Sequence, residues 1–465
     1  MDESPNPYRK LSFWLDSMPG DITPRAPLDA DQEVDVAIVG GGYTGLWTAW
    51  YLKQHAPELD IVVIEAEVAG YGASGRNGGW CSAYLSGIDG WYDNPDTRDS
   101  AVRLQRQMFQ TVADIGQVCE AEGIDAHYAR EGHVEAGVNR WQMDRIREEV
   151  DHMATLGLAD DVRLLDESEL AGFFTMDGAQ GGMLMPHCAA VHPARLSRGL
   201  ADRLEAKGVR IFEQSPARAL GPGRVRTDRA TVRAQQVLMA TEGYTGRIGG
   251  LSRKLVPVHS MMVATEPLSD EQLAATGLSG RYCFNNLDHI VTYGQLTADN
   301  RIAFGCRGSY RFGSGIQRFD PDDDEFNVVR AKLLELFPGL DGVGFTHAWG
   351  GCMGVTRSMH PVVSFDDRKG FGWAGGFFGN GVAATHLAGR TLADLVLGRQ
   401  TERVDTPWVN PPGQAHLREQ LWEWEPLRWL GVRARLQWMH WTDHFERTDS
   451  RWAGPFNRVL DEVFP

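Results

Sequence analysis

A strand, a glycine turn, a helix, a second strand and an acid follow one another between Asp35 and Glu65, and that order leaves few folds open. Val36 to Val39 are four apolar or β-branched residues in a row, the pattern of a buried strand. Gly40, Gly42 and Gly45 then fall in G-x-G-x-x-G spacing, which permits a tight turn, close backbone approach to a pyrophosphate and tight helix-to-strand packing. A helix from about Thr44 to Gln54 points its positive N-terminal end at those phosphates. Ile61-Val-Val-Ile forms the second strand, and Glu65 at its end is spaced to accept both ribose hydroxyls of an adenosine. A ligand-free glycine turn would explain the triplet but not the whole series, so the reading is an adenine-dinucleotide unit.

The bulk properties narrow the class. At 465 residues the chain is long for one core, and two or three domains are expected. A net charge of −16 offers no basic surface to nucleic acid. Six cysteines lie scattered without C-x-x-C spacing, which supports neither a disulfide framework nor a metal site. Charges and prolines occupy the first ten residues, and no stretch approaches the roughly 18 apolar residues of a membrane span. The expectation is a soluble, cytoplasmic protein.

Along the chain, residues 1–33 read as a lead-in whose Phe13 and Trp14 dock on the body. Helical spacing runs from about Arg98 to Glu122 and from Val138 to Leu156, around a strand at 130–138. Near Val191 the α/β alternation of the first unit returns, with a helix over 194–207 and strands at 209–212 and 236–240. Short strands at 256–265, 289–293 and 301–305 predict an antiparallel sheet. The dinucleotide pattern comes back once more and ends in a helix over about 382–397. Two interleaved domains explain this order: 34–90, 186–250 and 345–402 form the cofactor domain, and 91–185 with 251–344 form the other. Residues 403–465 are a separate extension holding seven of the fifteen tryptophans, Trp408, Trp422, Trp424, Trp429, Trp438, Trp441 and Trp452. It reads either as helices packing their aromatics over the body or as a subunit or lipid-surface contact.

The loop after Glu65 decides which dinucleotide binds. Gly72-Ala-Ser-Gly-Arg-Asn-Gly-Gly79 offers free N–H groups and small side chains beside the pyrophosphate end, and such a loop can run along a flat ring system. Far along the chain, Gly375-Gly-Phe-Phe-Gly-Asn-Gly-Val382 precedes a helix. Its amides and the helix dipole would stabilise the negative charge that the N1/O2 edge of a reduced isoalloxazine develops.

These segments, together with Trp349-Gly-Gly-Cys-Met-Gly-Val-Thr356 and Pro361, resemble those of the FAD-dependent D-amino acid oxidase superfamily, in order over about residues 12–400. The resemblance implies an α/β protein, α+β overall. A Rossmann-like FAD-binding domain interleaves with a substrate domain on an antiparallel sheet, and here a helical C-terminal extension follows. It also implies FAD contacts from Gly40, Gly42, Gly45, Glu65, Ala66, Ser74, Arg76, Asn77 and Gly78. Ala217 is placed by the adenine, and Gly376, Gly379, Asn380, Gly381 and Val382 over the flavin edge. Asn380 stands where the family commonly has histidine. Some members link flavin to a cysteine; counted from Thr356 that position is Gly351, so non-covalent FAD is expected, with Cys352 beside it.

The activity implied is oxidation of a C–N bond in a primary or secondary amine, such as an N-acylated diamine or amino acid derivative. Hydride passes to flavin N5, the imine hydrolyses to a carbonyl, and O2 becomes H2O2. Alternatives are a dehydrogenase feeding a quinone or partner protein, a monooxygenase, and a flavin-holding interaction subunit; a homo-oligomer through the extension is a further expectation. Candidate catalytic residues are His259, in a strand facing core or pocket; Arg307, for a substrate carboxylate or simply at the surface; Trp349, as a wall or core residue; and Asn380.

Overall fold

The computed structural model describes residues 6–313, 315–410 and 421–463. The apolar run Val36–Val39 is the heart of a central strand, Gln32–Val39, because parallel neighbours flank it: Ile61–Ile64 on one side and Thr231–Met239 on the other. The sheet continues to Arg210–Phe212 at one edge. At the other it adds Phe371–Gly375 and then the antiparallel Val362–Asp366. Parallel pairing requires long crossovers, and helices Tyr43–His55 and Pro193–Ala206 supply them. Helix Tyr43–His55 is nearly all buried, since helix Gly381–Val396 packs across it. Gly389 permits that approach: a Cβ there would lie 2.8 Å from the Thr48 amide nitrogen.

The second sheet runs in the order Phe345–Val355, Val256–Thr265, Ile302–Ser309, Thr292–Leu296, Cys283–Asn286, His133–Gly137, Gly181–Met185, Arg163–Asp166. It is antiparallel except where Cys283–Asn286 lies parallel to His133–Gly137. Phe345–Val355, expected with the cofactor segments, pairs along Val256–Thr265 in this sheet instead. Helix Arg98–Glu122, expected with the substrate segments, buries Leu104, Met108, Val112 and Ile115 in one cluster with the nucleotide-side helices. The strand expected at 289–293 begins only at Thr292, because the amides of His289 and Ile290 go to the Asp443 carboxylate and not to a ladder.

Both ends of the chain dock. Phe13 and Trp14 are buried against Trp349. In the extension, helices Leu427–Arg447 and Ala453–Val463 form a hairpin in which Trp438 stacks on Phe456. Its aromatics divide: Trp408 is buried and Trp422 donates to the Val355 carbonyl, whereas Trp424, Trp441 and Trp452 stay exposed. No described helix is long and apolar enough to cross a membrane.

Candidate functional site

Between the C-terminal ends of the first sheet and one face of the second lies a cavity of about 620 Å³. Gly40, Gly42, Glu65, Ala66 and Ala217 line it where strands of the first sheet end. Ser74, Arg76, Asn77 and Gly78 line its flank, and Gly379, Asn380, Gly381, Val382 and Arg307 line a further part.

At the nucleotide end, Gly40 adopts φ +114, and a Cβ there would lie 2.4 Å from the Ala240 carbonyl oxygen. Only glycine allows both. The Glu65 carboxylate accepts the Gly41 amide at 2.7 Å and the Glu67 amide at 3.0 Å. Burial pushes its pKa up to about 7 against the pull of those amides. Gly45 is absent from the lining. It serves the packing beneath, where a Cβ would come within 2.1 Å of the Gly40 carbonyl oxygen.

The 72–79 loop is held from behind. Ser12 donates to the Gly75 carbonyl at 2.8 Å, the Trp349 indole to that of Arg76 at 2.9 Å, and the Trp14 indole to that of Asn77 at 2.8 Å. Three consecutive carbonyls are thus turned outward from the cavity. The Ser74 hydroxyl accepts the Tyr43 amide at 2.9 Å, joining the loop to the helix start. Gly78 lies so close to the Tyr293 ring that a Cβ would sit at 2.7 Å. Arg76 stacks on Tyr71 with its guanidinium carbon 4.4 Å from the ring centroid, and its Nη2 is buried with no protein partner.

The second glycine run is fixed by a residue the sequence did not flag. Glu242, half-buried, accepts the Gly376 amide at 2.9 Å and the Gly354 amide at 3.1 Å; desolvation raises its pKa to about 7, and the backbone hydrogen bonds pull it back. Gly376, with φ +78, therefore packs behind the lining rather than in it. The run then turns at Gly379, φ +95, into helix Gly381–Val396, whose N-terminus faces the cavity. Asn380 does not cap that helix; its amide donates to the Ser86 hydroxyl at 3.0 Å. Arg307 closes this corner, 5.4 Å from the Phe378 centroid. Burial lowers its pKa, only Tyr293 opposes that, and no carboxylate pairs with it among the described residues.

Two expected catalytic positions fall elsewhere. His259 faces the back of the sheet, where Nε2 accepts the Gln317 amide at 2.9 Å, and burial pulls its pKa down to about 4. His259 and Ser260 are consecutive in one strand and so point to opposite faces, which leaves Ser260 facing the cavity. Trp349 is a core residue acting through the Arg76 carbonyl. Tyr293, hydrogen-bonded to Ser260 and kept protonated by a pKa pushed up to about 12 by burial, escaped the sequence reading. Asn285, which lines the same face and donates to Glu135 at 2.8 Å, escaped it too. Period-2 placement on this face was the available signal. Cys352 lines the cavity beside Gly351, but burial first and Glu242 second raise its pKa to about 12.

This lining fits an FAD: a carboxylate at a strand end for the ribose, a glycine cradle that side chains would fill, an orphaned guanidinium nitrogen, and a helix N-terminus at the far end. Known proteins agree. Over 406 residues the chain is 34% identical to the gamma-glutamylputrescine oxidoreductase of Escherichia coli, covering 84% of this chain and 92% of that one. It is 30% identical to the probable oxidoreductase OrdL of Haemophilus influenzae, over 83% and 88%. Among solved structures, the glycine oxidase of Geobacillus kaustophilus superposes with a TM-score of 0.66 at 19% identity, over 80% of this chain and 96% of that one. The model of the DAO family, FAD-dependent oxidoreductases, matches residues 35–395. From its first nucleotide strand to the end of the helix after the second glycine run, this chain belongs to the DAO family of FAD-dependent oxidoreductases.

Proposed function

We propose that the protein oxidises the C–N bond of an amine that also carries a carboxylate, such as an amino acid derivative or a diamine N-acylated by a carboxylate-bearing group. The observation that carries this reading is Arg307, a half-buried guanidinium with no carboxylate partner among the described residues, at the corner of the cavity where the second glycine run turns into its helix. Such a group matches a carboxylate bidentately. Bound FAD would supply the acceptor for a hydride from the carbon beside the amine nitrogen and a route for the two electrons to O2, and water would hydrolyse the substrate imine to a carbonyl compound and an amine or ammonia.

The protein's share is placement and desolvation. Arg307 fixes one end of the substrate, and the protonated Tyr293 hydroxyl, tied to Ser260, offers a donor on the same face. The backbone amides at Gly379 to Gly381 and their helix supply positive potential where reduced cofactor charge accumulates. Glu65, Ala66, Ser74, Arg76, Asn77, Gly78 and Ala217 hold the nucleotide and its ring system. Cys352, kept as a thiol, makes non-covalent binding the consistent reading.

The test is an anaerobic panel of γ-glutamylputrescine, putrescine, glycine, sarcosine and L-proline, with lactate and glycolate as hydroxy acids, followed by loss of flavin absorbance. Amines with a carboxylate bleach the flavin, and admission of air releases peroxide. Bleaching by hydroxy acids alone would sink the proposal.

Glu65 makes the cofactor affinity pH-dependent. Ribose hydroxyls donate to the ionised carboxylate, so binding favours the form present above its folded pKa of about 7. FAD affinity is therefore expected to weaken by at most about tenfold per unit as pH falls below that value and to level off above it. Equilibrium titration of apoprotein with FAD between pH 5.5 and 8.5 checks this, and Glu65→Gln flattens the profile.

A further inference from the structure

The segment Leu287–Val291 joins two strands of the second sheet, and Leu287, Asp288 and Val291 line the cavity. A ladder bond holds only its last residue, the Arg307 amide donating to the Val291 carbonyl at 3.1 Å, and among the described residues none holds the rest. The C-terminal extension does, through one face of helix Leu427–Arg447, where Asp443, Glu446 and Arg447 stand at i, i+3 and i+4. Asp443 accepts the His289 amide at 2.7 Å with one oxygen and the Ile290 amide at 3.0 Å with the other. Glu446 meets His289 Nε2 at 3.2 Å and accepts Arg145 at 2.7 and 3.0 Å, and Arg145 also donates to the Leu287 carbonyl at 2.8 Å. Arg447 reaches Asp288 at 3.0 Å, joined there by Lys332 at 2.7 Å.

Asp443 and Glu446 are buried, so these are not loose surface pairs. Nor do His289, Asp443 and Glu446, although close enough to ligate an ion, form a metal site. Both Asp443 oxygens are taken by amides and both Glu446 oxygens by the Arg145 guanidinium. The arrangement grips a loop from outside the cavity that the loop shapes within.

We propose that the C-terminal extension is a working part of the substrate cavity, with Asp443 as the positioning residue that sets amine affinity through the segment Leu287–Val291. This rests on the reading that the cavity receives the amine. The clamp couples a region outside the family match, residues 427–447, to the wall of a site inside it. Asp443 is not part of the cavity lining; it acts on the segment through the two amides it accepts and through its charge near Asp288.

Asp443→Asn keeps the size of the side chain but turns a donor toward one of the two amides. Expected are a tenfold or greater rise in the concentration of γ-glutamylputrescine, or of the panel amine that bleaches wild type, needed for half-maximal anaerobic flavin reduction. The limiting rate stays within threefold and FAD content is unchanged. Peptides spanning 287–291 should exchange amide hydrogens at least tenfold faster than in wild type. Arg447→Gln, at a half-exposed position, should shift half-saturation the same way by about threefold, and it carries the test if Asp443→Asn fails to fold. A lowered melting temperature with unchanged half-saturation and unchanged exchange at 287–291 overturns the proposal. If no amine bleaches wild type, the functional reading fails, and exchange at 287–291 alone decides the clamp.

Discussion

Arg307→Leu is expected to lower kcat/KM for a carboxylate-bearing amine by two to three powers of ten while FAD stays bound. The guanidinium lies in the cavity wall with no carboxylate beside it among the described residues, so nothing inside the protein spends its charge. Hydrogen bonds to charged groups are worth about 1.5–3 kcal/mol each, and a bidentate pair lost from a desolvated corner approaches 3–4 kcal/mol. At about 1.4 kcal/mol per decade that is the stated loss. Arg307→Lys recovers part of it, because an ammonium is a point charge without the planar fork. The control is an amine without a carboxylate, such as putrescine, whose oxidation should change little. An equal loss for both amines would mean that Arg307 shapes the cavity or its cofactor and does not recognise the substrate.

The nucleotide end was legible because its determinants are local. Gly40, Gly42 and Glu65 act within one strand-turn-helix-strand unit, and their spacing carries the geometry. The 72–79 loop was legible as a loop with a ligand, yet what holds it was not: the carbonyls of Gly75, Arg76 and Asn77 are bound by Ser12, Trp349 and Trp14, from distant parts of the chain. On the second sheet, alternation marked the strand Val256–Thr265 but not its phase. Of two consecutive residues there, the histidine took the back and the serine the cavity. Asp443 shows the same limit from the other side, since an acid in the last long helix takes amides that would otherwise extend a strand. Local pattern predicts elements; the closing of a site is made by pairs that sequence spacing does not encode.

Glu242 gives the largest stability effect of this kind. It sits just past the strand Thr231–Met239 with φ +42, a conformation unusual for a residue with a side chain. Its two oxygens hold Gly354, in the second sheet, and Gly376, in the glycine run. Glu242→Ala leaves both amides buried without acceptors, at about 1–3 kcal/mol each, and opens a cavity besides. A loss of about 3–5 kcal/mol is expected, seen as a fall of about 3–5 °C in the melting point of a chain this long, together with poor retention of FAD. Glu242→Gln keeps one acceptor and should lie between. The pH dependence separates charge from geometry. The folded pKa of about 7 lies above the ordinary carboxylate value. This group's favourable contribution is therefore fully present below the unfolded pKa and is lost as pH rises through 7. Apoprotein melting points should thus fall from pH 5 to pH 8 more steeply in wild type than in Glu242→Gln, since the Glu65 contribution is common to both. Parallel profiles, or an Ala variant melting within 1 °C of wild type, would show that the glycine run is held by something other than this carboxylate.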